Sequence, residues 1–71
     1  MPSLEMNAKA IGQKLVKLRG EKTQDVVAKA IGISISALSM YEQGERIPRD
    51  NIKIRLADYY GVTVGEIFFK T

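Results

Sequence analysis

The sequence contains neither cysteine nor histidine. Without cysteine there is no disulfide and no thiolate site. Without histidine the commonest general base, the commonest metal ligand and the usual near-neutral pH switch are all missing. No acidic pair is placed on a common face, and no glycine loop is arranged to cradle a phosphate. Together these gaps argue against an enzyme and against a bound metal or cofactor, and nothing in the pattern points to a small-molecule ligand. No apolar run approaches the length of a membrane span, and the N-terminus lacks the apolar region of a signal peptide, so a cytoplasmic protein is expected. Strand alternation, internal repeats and low-complexity segments are absent from the sequence as well.

What is present is one small, helix-patterned domain. A chain of 71 residues is long enough for a single core, which must be packed efficiently to be stable. The net charge of +3 is mild, but it is unevenly spread. Residues 1–22 carry a net +3, residues 23–45 a net −2, and residues 46–60 a net +2. Within the central stretch the helix over residues 34–43 is itself nearly uncharged, and basic segments on either side of it suit a protein that holds phosphates beside a neutral reading surface,. Ordinary solvated faces would give the same pattern.

Gly20, Gly32, Gly44 and Gly61 punctuate the chain. Helix starts are expected near Asn7, Thr23, Ser34, Asp50 and Thr63, and Asp50 is read as the cap of the fourth helix. Ile11, Leu15 and Leu18 form the stripe of a first helix over residues 8–19. Val27, Ala28 and Ile31 do the same for the second. In the fourth, Ile52, Leu56, Ala57 and Tyr60 are expected to face inward. Thr63-Val64-Gly65-Glu66 fits a capping box, with Val62 and Ile67 as its hydrophobic staple. Local signals and periodicity agree on an all-α fold, with residues 1–7 as a flexible arm and residues 8–69 as the domain.

The organising stretch is residues 23–44. Two short helices meet at Gly32, a position where a sharp turn needs positive φ. The second, over residues 34–43, places Ser34, Leu38 and Tyr41 on one side and Ile35, Ser36, Ser39 and Met40 on the other. Two helices joined by a short glycine-containing turn make a helix-turn-helix, whose second helix enters the DNA major groove.

The residues Thr23-Gln24-Asp25-Val26-Val27-Ala28, Ile31-Gly32-Ile33-Ser34 and Leu38-Ser39-Met40-Tyr41-Glu42-Gln43-Gly44-Glu45-Arg46-Ile47-Pro48 resemble the Cro/C1-type (XRE-type) helix-turn-helix family. The similarity continues through Leu56-Ala57-Asp58-Tyr59-Tyr60-Gly61-Val62-Thr63-Val64 to Ile67-Phe68, and covers residues 8–69. It implies a compact five-helix, lambda-repressor-like bundle that binds double-stranded DNA as a homodimer. It also implies a repressor-type regulator of the bacterial or phage-encoded, nucleoid-associated kind.

By that resemblance Ile35, Ser36, Ser39 and Met40 occupy base-reading positions. Gln24, Ser34, Arg46, Arg49 and Lys53 match or lie near positions that contact phosphates. The reading helix departs from the commoner family pattern, because it offers no bidentate donor for guanine or adenine. Its serines specify little, while Ile35 and Met40 can pack on thymine methyl groups, which leaves DNA shape to carry more of the specificity. Other roles stay open for several of these residues. Ile35 and Met40 can pack on a neighbouring helix, Gln24 can be an exposed residue with no task, and Arg46 can pair with Glu42 or Glu45. The Phe68-Phe69 end, with Tyr59, is either a self-association patch or the closure of the core. A protein-interaction module such as an antitoxin or adaptor is the alternative function.

Overall fold

A computed structural model describes residues 6–69. Residues 1–5 of the expected arm lie outside the described residues. Met6 departs from the arm reading: its backbone N–H donates to the Phe68 carbonyl at 2.8 Å, and its side chain packs against the core.

Five helices follow in order: α1 (Ala8–Arg19), α2 (Gln24–Ile31), α3 (Ile35–Gln43), α4 (Asp50–Tyr60) and α5 (Val64–Phe68). Four are capped by the side chains the sequence marks. Asn7 Oδ1 accepts from the Ala10 N–H at 2.8 Å, and Thr23 Oγ1 from Val26 at 3.2 Å. Ser34 Oγ accepts from Ala37 at 3.0 Å. Thr63 and Glu66 bond reciprocally, at 3.1 and 2.9 Å, as a capping box. The fourth helix corrects the expectation. Its N-cap is Arg49, which makes no side-chain cap bond, and Asp50 is its first helical residue. There the carboxylate sits near the positive helix end and 3.6 Å from Lys53 Nζ,.

Each helix gives one face to a shared core: Ile11 and Leu15 from α1, Val27, Ala28 and Ile31 from α2, Leu38 and Tyr41 from α3, Leu56 and Ala57 from α4, Ile67 and Phe68 from α5. Fully burying one such large apolar side chain contributes roughly 1.5–3 kcal/mol. Ile52 and Tyr60, expected inside, are half-buried against this cluster, whereas Ile54 is among the most exposed apolar residues. Phe68 is fully buried, so the C-terminal aromatic end closes the core and Phe68 offers no patch for self-association.

The corner between α2 and α3 is built on Gly32, whose φ is +84°. The Gly32 and Ile33 N–H groups both donate to the Ala28 carbonyl, at 2.9 and 3.0 Å. Ile33 then packs its side chain against the core and fixes the angle at which α3 leaves. The other close join is between α1 and α3. A β-carbon on Gly12 would come within 2.4 Å of the Glu42 carbonyl oxygen, so the two backbones approach where only hydrogen fits.

Candidate nucleic-acid interface

The exposed face of α3 follows from which of its positions the core consumes. Leu38 and Tyr41 are buried, and Glu42 joins them. At 100° per residue this turns Ile35, Ser36, Ser39 and Met40 outward. Ile35 is 47% exposed and Ser36 is exposed, while Ser39 and Met40 are half-buried. Neither Ile35 nor Met40 belongs to the core or to the apolar residues packed against it. Neither side chain is thus part of the core, although Met40 is half covered by its surroundings.

Gln43 extends this face and corrects the reading that the helix lacks a bidentate group. Its exposed carboxamide donates from Nε2 to Ser39 Oγ at 2.9 Å, one turn back along the helix.

Gln24 opens α2 and is only half-exposed. It is not idle. Its Nε2 donates to Glu42 Oε1 at 2.8 Å, which ties the start of α2 to α3. The Glu42 side chain is 3% exposed, and a carboxylate so buried needs a cation,. Arg19, from the end of α1, supplies it. Its Nε donates to Oε2 at 2.7 Å and its Nη2 to Oε1 at 3.2 Å, a two-pronged geometry that a planar guanidinium suits,. Nη1 of the same residue donates to the Lys22 carbonyl at 2.7 Å. The bond to Glu42 raises the Arg19 pKa, against the opposing effect of burial. One buried carboxylate thus joins three helices, and its charge is cancelled where it sits.

The sequence pattern does not mark Arg19, and it marks Glu42 only as a candidate partner of Arg46. The signal was available: Glu42 lies four residues after Leu38 and beside Tyr41, on the inward edge of α3.

Arg46 and Arg49 are exposed in the segment joining α3 to α4, and no ion pair holds them among the described residues. Pairing of Arg46 with Glu42 is not formed, because Arg19 occupies that carboxylate. Ser34 is exposed, and its oxygen caps α3. Lys53 corrects the expectation of a third phosphate contact beside the two arginines. Its side chain is only 8% exposed. Its ammonium lies 5.6 Å from the centres of both the Phe68 and Phe69 rings, and it serves the α4–α5 packing. Lys22 donates to the Tyr59 hydroxyl at 3.2 Å and lies over that ring at 4.8 Å. Among the described residues no three acidic side chains gather as a metal would require.

The model of a helix-turn-helix family matches residues 13–67, most of the chain, and takes in Arg19, Gln24, Glu42 and the whole of α2 and α3. The chain belongs to the helix-turn-helix family. Solved structures of other regulators are similar to it. The SOS-response transcriptional repressor LexA from Eubacterium rectale has a TM-score of 0.82 at 26% identity, with 97% of this chain and 77% of that one covered. The clp gene regulator ClgR from Corynebacterium glutamicum has a TM-score of 0.78 at 22% identity, over 92% of this chain and 71% of that one. A second ClgR structure has a TM-score of 0.74 at 25% identity, over 94% and 86%. No sequence match is found among curated proteins. No helix of this helix-turn-helix protein among its described residues is long and apolar enough to cross a membrane.

Proposed function

We propose that this protein binds double-stranded DNA sequence-specifically, as a transcriptional regulator of repressor type, with α3 in the major groove. The observation that carries the reading is the outward face of α3. It presents small and apolar side chains that the core does not use, and along the chain it is flanked by a tethered Gln24 and the exposed Arg46 and Arg49. Ile35 and Met40 pack on thymine methyl groups, and Ser36 and Ser39 bond base edges or phosphates. Gln24, Ser34, Arg46 and Arg49 set the register on the backbone. One domain of this size makes a small interface. Two copies on half-sites about 34 Å apart supply the rest, as two-fold helix-turn-helix dimers do.

Selection from a pool of random duplexes at two salt concentrations, followed by sequencing, tests this. A thymine-containing pseudo-palindrome with half-sites one helical turn apart, weakened by salt, is the expected outcome. Weak retention with no enriched sequence at either salt would instead favour an antitoxin-like or adaptor role. The uncharged face of α3 is the feature that supports that second reading.

A further inference from the structure

Gln24 is held by one hydrogen bond and has another left to give. A carboxamide nitrogen carries two hydrogens, and a carboxylate only accepts, so Nε2 must be the atom that faces Glu42,. That fixes which way the amide points and leaves its second hydrogen uncommitted. The acceptor is itself immobile: Glu42 is buried on α3 and clamped by Arg19 through bonds of 2.7 and 3.2 Å. An exposed glutamine would otherwise spread over several rotamers and lose that freedom on binding. A buried carboxylate close to a phosphate would also repel it, were its charge not cancelled by the guanidinium.

We propose that Glu42 is a positioning residue for DNA binding. It holds the Gln24 carboxamide so that the second Nε2 hydrogen meets a backbone phosphate, while Arg19 keeps the carboxylate from repelling that phosphate. The inference rests on the DNA-binding reading and deepens it. It assigns to the inward edge of the reading helix a part in holding the DNA backbone.

The test is a double-mutant cycle, read as affinity for a short mixed-sequence duplex at two salt concentrations. Gln24→Ala is expected to weaken binding about tenfold, the scale of one hydrogen bond to a charged group. Glu42→Met, which removes the acceptor at similar size, is expected to cost a similar factor alone but nothing further in the Gln24→Ala background. Glu42→Gln, which keeps an acceptor oxygen, is expected to recover part of the loss. A merely structural Glu42 gives the same loss in both backgrounds, and that result overturns the proposal.

A second measurement needs no substitution. In the nuclear magnetic resonance spectrum of the free protein, one Gln24 side-chain amide proton is expected to be shifted and slow to exchange. On addition of duplex the other proton should move. Two amide protons at the ordinary shifts of an exposed glutamine, both exchanging rapidly with water, overturn the positioning role. If the unmodified protein fails to bind the duplex, or Gln24→Ala binds as well as it does, the DNA reading of this site falls instead.

Discussion

Gly12 lies directly beneath the carbonyl oxygen of Glu42, at a distance that leaves no room for a methyl group. The Tyr41 carbonyl oxygen would stand 2.8 Å from the same added carbon. Both obstacles are backbone, which cannot swing aside as a side chain does. Gly12→Ala is therefore expected to push α1 off α3 and destabilise the fold by about 1–3 kcal/mol, despite alanine's better helix propensity. Urea unfolding measures it, and an unchanged or raised midpoint would contradict the close approach.

The Arg19–Glu42 pair behaves differently depending on whether one or both partners are removed. Arg19→Met leaves a buried carboxylate with only Gln24 for company. It is expected to cost about 3 kcal/mol, at the low end for a broken buried pair because Arg19 keeps 20% exposure,. The double variant Arg19→Met with Glu42→Met removes both charges and should return to within about 1 kcal/mol of the parent. Thermal melting of the three proteins decides this.

Tyr60 sets an alkaline limit. Burial, with help from the Glu42 charge, pushes its hydroxyl pKa up to about 12. The unfolded chain releases that proton near its ordinary value of 10.0. A raised folded value means the stability is fully present below pH 10 and is lost as pH rises toward 12. Each unit of separation is worth about 1.4 kcal/mol. The hydroxyl is buried and has no hydrogen-bond partner among the described residues. Tyr60→Phe should thus be neutral or slightly stabilising at pH 7 and should flatten the loss above pH 10. Denaturant titrations across that range provide the comparison.

Lys53 and Arg46 separate a buried cation from an exposed one. Arg46→Ala should reduce the slope of log affinity against log salt by about 0.9, the share of one phosphate. Lys53→Met should leave that slope unchanged and show its effect, if any, in stability. Equal loss of slope from both would place Lys53 at the DNA after all.

Thymine methyl groups can be removed without touching the protein. Replacing thymine by uracil within the selected half-site is expected to weaken binding by about 1 kcal/mol for each methyl that Ile35 or Met40 covers, since one buried methyl-sized group is worth about that much. The loss should disappear in the Ile35→Ala, Met40→Ala double variant. No difference between thymine and uracil duplexes would remove both residues from base reading.

Much of the fold was legible because its signals are local. Asn7, Thr23, Ser34 and Thr63 cap helices through bonds to N–H groups three residues on, and periodicity alone turns Val27, Ala28 and Ile31 to one face. The cap of α4 is not legible in this way, because an aspartate beside a helix start suits either the cap or the first turn, and the backbone decides between them,. Gln43 belongs to the outward face of α3 although it stands at the helix end, just before the glycine that terminates it. The outward set of α3 followed from the inward one, once Leu38 and Tyr41 were taken by the core.

The sequence by itself determined the helices, their ends save the N-cap of α4, the turn at Gly32 and the residues that α3 turns away from the core. All of these depend on neighbours within a few positions along the chain. Tertiary structure alone decided which charges are free. Glu42 and Arg19 stand 23 positions apart and meet only because Gly12 lets α1 lie against α3. Lys53 looks like its basic neighbours in sequence, yet the aromatic end of α5 folds over it and withdraws it from the surface. A charge's availability depends on what packs around it from distant parts of the chain, and no local pattern encodes that.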